Sequence, residues 1–197
     1  MTDDTQSSPV ILAAGGTGGH MFPAEALARE LLARGQRVVL VTDRRGNAFG
    51  DALPEVEVHR IRASSFGSGI MGKIRGVVEL TIGAFQARRL IAKLKPSTVV
   101  GFGGYPSVPT VLLAQRGRVP TVLHEQNAVL GRANRLAAPG AVRIATSFAS
   151  VAAVMQADAG KLVFTGNPVR PNVTSVRDLP YPALEDGGEV RLLDRRY

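Results

Sequence analysis

The run Gly15-Gly16-Thr17-Gly18-Gly19-His20-Met21-Phe22-Pro23 sits between an apolar segment and a helical pattern. Glycines let a backbone turn tightly and approach a ligand, and the free N–H groups opening a helix attract anions. The chemistry this predicts is a phosphate cradle with an imidazole at its lip; the plainer alternative is a tight turn beside a solvated His20. A dinucleotide fingerprint would need glycine where Met21 stands, and a Walker A loop would need Gly-Lys-Ser/Thr, which is absent. Asp43 closes the next apolar run where a ribose-binding acid would lie, which keeps a nicotinamide oxidoreductase open as an alternative. Gly103-Gly104-Tyr105-Pro106-Ser107 repeats the logic after another strand-like run, with Ser107 as candidate N-cap. Two such loops on one sheet rim would form a wider cradle, suited to a diphosphate or a phospholipid-like head.

His124-Glu125-Gln126-Asn127 follows a third apolar run. Four polar residues there either face a cleft, where open α/β proteins keep their chemistry, or cap a helix expected from Ala128. A metal site from His20, His124 and Glu125 has no supporting ligand spacing, and no Gly-x-Ser-x-Gly elbow is present.

The elements that must position these residues follow from periodicity. Val10 to Ala14 reads as a strand, Ala24 to Ala33 as a helix with Leu27, Leu31 and Leu32 on one face, and Arg37 to Thr42 as the next strand. Further strands are expected at Val56 to Ile61, Thr98 to Phe102, Pro120 to Leu123, Val142 to Ala145 and Lys161 to Thr165, with a helix at Ser107 to Gln115. Strands apolar throughout and separated by helices belong to a parallel sheet covered on both faces. The expected fold is therefore an open, doubly wound α/β domain, with ligands beyond the carboxyl ends of its strands.

A long helix is expected from Ile70 to Leu94. At about 100° per residue, Val77, Leu80, Ala84, Ala87, Ile91 and Leu94 form one stripe for the sheet. Ile74, Val78, Ile82 and Phe85 form another, with Lys73, Arg75, Arg88 and Arg89 nearby. That second stripe either lies under a neighbouring element or rests on anionic lipid.

Composition narrows the classes. The 197 residues contain no Cys, which removes disulfides, thiolate metal sites and a cysteine nucleophile, and fits a reducing compartment. The 24 Lys+Arg against 16 Asp+Glu give a formal charge of +8, which favours an anionic partner. Nucleic acid is not expected, because the cations are spread among aliphatics and no recognition motif is present. Met1 to Ser8 is a polar, acidic tail unlike a secretory leader, and no run is long and apolar enough to span a bilayer. From Pro168 the periodicity dissolves into prolines and glycines, until Val190-Arg191-Leu192-Leu193 reads as the first strand of another domain.

Taken in order, Gly15-Gly16-Thr17-Gly18-Gly19-His20, Gly103-Gly104-Tyr105, His124-Glu125-Gln126-Asn127 and Thr165-Gly166-Asn167-Pro168-Val169-Arg170 resemble the motifs of the MurG family over residues 9 to about 172. That family transfers N-acetylglucosamine from UDP-N-acetylglucosamine to lipid I, making lipid II for peptidoglycan, with two Rossmann-like domains in the GT-B arrangement. The resemblance implies an acceptor-binding domain at 9–172, after the tail at 1–8, and a linker with the stub of a donor domain at 173–197. It implies an inverting transfer with His20 as base, since a histidine titrates near ~6.5, and Glu125 orienting the acceptor or sharing that role. Gly15, Gly16, Gly103, Gly104 and Tyr105 would hold the acceptor diphosphate, and Thr17, Gly18, Gly19, Asn127 and Arg170 would touch the donor. No metal or other cofactor is implied. The protein would sit peripherally on the cytoplasmic face of the cell membrane, and these 197 residues alone are expected to bind acceptor without transfer. A non-catalytic lipid- or membrane-binding module is the other reading.

Overall fold

The structure is a computed structural model and describes residues 8–15, 18–44, 53–63, 69–177 and 179. Its strands are β1 (Val10–Ala13), β2 (Val38–Thr42), β3 (Glu57–Arg60), β4 (Thr98–Gly101), β5 (Thr121–Glu125), β6 (Arg143–Thr146) and β7 (Leu162–Phe164). All pair in parallel, in the order β3-β2-β1-β4-β5-β6-β7. The helices are α1 (Gly18–Ala33), α2 (Gly69–Leu94), α3 (Ser107–Arg116), α4 (Arg132–Ala137) and a short α5 (Pro171–Thr174).

Because strand side chains alternate between faces, β1 feeds two cores. Ile11 and Ala13 join Val39, Val41, Val99, Val111 and Leu123 beneath α2 and α3, while Leu12 and Ala14 join Leu40, Val100, Phe102, Met21, Ala24 and Ala28 beneath α1. The doubly wound expectation holds. The chain winds outward from β1 to β3, then returns through α2 to lay β4 against the other side of β1. That reversal is the topological switch point of the sheet, where open α/β folds leave a crevice beyond the strand ends.

Several local expectations are corrected. Helix α1 starts at Gly18, well before Ala24, and carries Pro23 inside it. Proline favours a first turn, so it misplaces the boundary when read alone. Ser107 is the first helical residue of α3 rather than its cap, and its hydroxyl donates to Gly104 O at 2.9 Å. No helix starts at Ala128: Val129 bridges Ala152 and α4 begins only at Arg132. On α2, Val77 is 55% exposed instead of facing the sheet. The buried line runs through Gly76, Gly83, Ala87 and Leu90. A Cβ on Gly83 would collide with the Arg62 carbonyl, so the middle of the helix docks through small residues and turns Val77 and Val78 outward, while Ala87, Ile91 and Leu94 of the expected stripe pack on the core as read.

The second stripe of α2 leaves Val78 and Phe85 exposed and Ile82 half-buried; the side chain of Ile74 lies outside those described, as do Lys73 and Arg75. The Arg89 guanidinium lies over the Phe85 ring at 5.0 Å. Among the described residues no helix is long and apolar enough to cross a membrane. The tail at 1–7 and the strand expected at Val190 lie outside the described residues.

Candidate functional site

The switch point brings the two glycine clusters into contact. Leaving β1, Gly15 donates its N–H to Gly103 O at 3.1 Å, and Phe102 N, leaving β4, donates to Ala13 O at 2.9 Å. The loops then cross so closely that a Cβ on Gly104 would sit 2.9 Å from Gly15 Cα. Gly103 and Gly104 have φ of +92° and +78°, a region that side chains with a Cβ disfavour. Residue type here is dictated twice, by conformation and by space.

His20 lies in the first turn of α1 with its imidazole against the second loop. A Cβ on Gly103 would stand 3.2 Å from His20 Cε1, and one on Gly104 3.4 Å from Cδ2. His20 Nδ1 meets Gln126 Oε1 at 3.1 Å. Gly18 and Gly19 are exposed at the helix start. Gly16 and Thr17, expected to hold diphosphate and donor, lie outside the described residues.

The end of β5 supplies the opposite wall. Glu125 is buried, and both its carboxylate oxygens are engaged. Oε1 accepts from Asn127 N at 3.1 Å and Asn127 Nδ2 at 2.9 Å; Oε2 accepts from Gly131 N at 2.8 Å and Asn134 Nδ2 at 2.9 Å. Four donors occupy the roughly four lone-pair directions of a carboxylate. Glu125 thereby ties down the loop that leads into α4, and the helix that the capping alternative placed at Ala128 does not form.

His124 is buried against Phe102, with ring centroids 5.5 Å apart. Burial pushes its pKa below the usual histidine value, against smaller opposing effects of the Gly166 carbonyl and the Glu125 charge. The loop after β7 approaches here too, since Thr165 N and Gly166 N both donate to Thr146 O. Arg170, on that loop, stacks over the Phe22 ring at 3.8 Å, and a Cβ on Gly18 would press into the same ring. Arg170, Gly18 and Gly19 are thus gathered at the amino end of α1, while Asn127 is exposed across the crevice.

Between these walls lies a cleft of ≈ 600 Å³, bordered by His20, Gly103, Gly104, Tyr105, Glu125 and Asn127. Leu80, Val108, Arg132, Asn134 and Leu136 line it as well, none of them named as a site residue from the sequence. For Asn134 a signal existed. It shares the buried side of α4 with Ala137, and a buried asparagine in a helix needs a polar partner. Among the described residues no cluster of three His, Asp or Glu is placed to hold a metal ion.

An open parallel sheet with two glycine loops meeting at its switch point defines a Rossmann-like domain. Residues 10–146 match the Glycosyltransferase family 28 N-terminal domain, and the chain belongs to that family. It is 60% identical over 186 residues to the Rhodospirillum centenum UDP-N-acetylglucosamine–N-acetylmuramyl-(pentapeptide) pyrophosphoryl-undecaprenol N-acetylglucosamine transferase, covering 94% of this chain and 49% of that protein. The protein of the same name from Paramagnetospirillum magneticum is 50% identical over 190 residues, covering 96% and 51%. The chain spans about half the length of these relatives. The crystal structure of Acinetobacter baumannii MurG superposes with a TM-score of 0.66 at 28% identity, over 88% of this chain and 49% of that one. A Streptomyces glycosyltransferase, SsfS6, shares the fold alone, with a TM-score of 0.51 at 12% identity over 71% of this chain and 50% of that one. The resemblance carried by the four motifs is borne out, and the oxidoreductase alternative falls with it.

Proposed function

We propose that this chain is the acceptor-binding half of an inverting N-acetylglucosaminyltransferase that converts lipid I to lipid II. The observation that carries the reading is that His20 and the Gly103-Gly104 loop border one cleft, with the first glycine loop crossing the second at backbone contact. Exposed N–H groups of a glycine loop and a helix start stabilise a diphosphate without any metal charge. Gly16, Gly103, Gly104 and Tyr105 hold the acceptor diphosphate, with Gly15 shaping that cradle through its own bond to Gly103 O, and Thr17, Gly18, Gly19, Asn127 and Arg170 meet the donor. The muramyl 4-hydroxyl oxygen forms its bond to the anomeric carbon as the bond from that carbon to UDP breaks. His20 takes the hydroxyl proton, and Glu125 acts at one remove by fixing the wall that bears Asn127 and Asn134. In this reading residues 9–172 form the acceptor domain, and 173–197 lead into a donor domain that supplies most of the UDP-N-acetylglucosamine pocket.

The exposed Val78 and Phe85, with Ile82, Arg88 and Arg89, support peripheral attachment to the anionic cytoplasmic face of the cell membrane. Such attachment delivers the cleft to a lipid-linked acceptor. The test is a transfer assay with this chain joined to the donor domain of a relative. His20→Ala is expected to lower turnover roughly 100-fold or more, the usual contribution of a general base. Turnover within a factor of a few of the parent removes His20 from that role. Acceptor binding without transfer in the joined parent protein would favour the non-catalytic, lipid-binding reading.

A further inference from the structure

Between His20 and the loop after β7 runs an unbroken polar chain. His20 Nδ1 lies 3.1 Å from Gln126 Oε1, Gln126 Nε2 lies 3.0 Å from His124 Nδ1, and His124 Nε2 lies 3.4 Å from Gly166 O. Gln126 Nε2 also reaches His124 O at 3.2 Å. Two of these partners are backbone carbonyls, which only accept, and they set the direction of everything between. His124 O requires the amide nitrogen of Gln126 on its side, so the amide oxygen must face His20. Gly166 O requires a proton on His124 Nε2, so neutral His124 presents a lone pair at Nδ1 to the Gln126 amide. The Gln126 oxygen then accepts from His20 Nδ1–H. A neutral imidazole carries one N–H, so the lone pair of His20 falls on Nε2, which has no partner among the described residues.

We infer that Gln126 and His124 form a tautomer-setting relay that holds His20 with its proton on Nδ1 and its basic lone pair on Nε2. The free histidine side chain prefers the opposite arrangement, with the proton on Nε2, so the relay reverses an intrinsic preference. It also ties that choice to the segment bearing Arg170, through the Gly166 carbonyl. Gln126 and His124 are positioning residues: they act through His20. The groups facing the relay are Phe102 and Glu125 at His124, and Gly103 and Gly104 at His20. Glu125 has its own four donors and competes for none of the relay's protons. Burial favours the neutral form of His124, in keeping with a donor at Nε2 and an acceptor at Nδ1.

The inference rests on the proposed role of His20, yet its test does not pass through turnover. Long-range ¹⁵N–¹H correlation spectra of the histidine-labelled chain, at alkaline pH where every imidazole is neutral, report which ring nitrogen is protonated. The three histidines are assigned by substituting each in turn. The expected pattern is a pyrrole-type Nδ1 with a pyridine-type Nε2 for His20, and the reverse for His124. In Gln126→Leu, His20 should move toward the Nε2–H form. In Gln126→Glu, whose carboxylate accepts but cannot donate, His20 keeps Nδ1–H. An Nε2–H His20 in the parent chain overturns the relay, and that measurement needs no variant to fold. The expected tautomers beside an active His20→Ala enzyme would sink the base and leave the relay standing.

Discussion

The contact between the two glycine loops can be tested by giving one of them a methyl group. In Gly104→Ala the new Cβ would stand 2.9 Å from Gly15 Cα and 3.3 Å from Gly15 N, both backbone atoms that cannot rotate away. The residue would also hold a φ of +78°. Left-handed backbone costs a residue with a Cβ about 1–2 kcal/mol. Forcing an extra methyl into a packed site adds typically about 1–3 kcal/mol. The sum, about 2–5 kcal/mol, is a large share of a domain stability of about 5–15 kcal/mol. Gly35 provides the control: its φ is +70°, yet a Cβ there meets nothing within 4 Å. Gly35→Ala should therefore lose only the conformational part, about 1–2 kcal/mol. Both alanines restrict the unfolded chain equally, so that contribution cancels in the comparison. Urea unfolding of the three proteins, with matching slopes, measures the difference directly. Equal losses for the two variants would refute the claim that the loops are held at backbone contact.

Replacing Glu125 by glutamine keeps the shape but turns an amide toward two of its four donors; at about 1.5–3 kcal/mol per hydrogen bond to a charged group, urea unfolding should show at least ~3 kcal/mol lost. A change under ~0.5 kcal/mol would mean the carboxylate does not hold the α4 loop. Because burial lowers the His124 pKa in the fold, the unfolded chain takes up its proton first as pH falls. His124 thus supports stability above about pH 6.5 and withdraws that support as pH drops toward its folded value, so His124→Asn should flatten the loss of stability between roughly pH 7.5 and 5. An unchanged slope would contradict a buried neutral His124. Co-sedimentation with anionic vesicles should weaken as salt rises and fall sharply in Val78→Ser/Phe85→Ser, each cation near the surface adding about 1 kcal/mol. Binding that ignores both salt and the double substitution would place the membrane contact elsewhere.

Much was legible from residue order because the signals are local. The strands of this sheet are short apolar runs, and a β1 that is buried on both faces reads as Val10-Ile11-Leu12-Ala13 whatever surrounds it. Glycine clusters at strand ends announce tight backbone, and the His124 to Asn127 run announces polar groups where a core should end. The four motifs in order carried the family. Boundaries fared worse where one residue sends two messages, as Pro23 does inside α1.

What only the tertiary structure decided is which groups meet. Gly15 and Gly103 are 88 positions apart, and nothing in either loop says that Gly15 N will donate to Gly103 O; the reversal of winding at β1 and β4 does that. Sequence periodicity placed Val77 on the buried stripe of α2 with Ala87, Ile91 and Leu94; the last three pack on the core, yet close approach to the Arg62 carbonyl selects Gly83 mid-helix and leaves Val77 outside. Glu125 reads in sequence as a group facing a cleft or as a cap. Its saturation by Asn127, Gly131 and Asn134 is a fact of three dimensions, as is the Gln126 amide that joins two histidines. Residue types set what each group is able to donate, accept or bury; chain topology sets the partner, since hydrogen bonding and packing act over distances of a few ångströms that sequence separation does not measure.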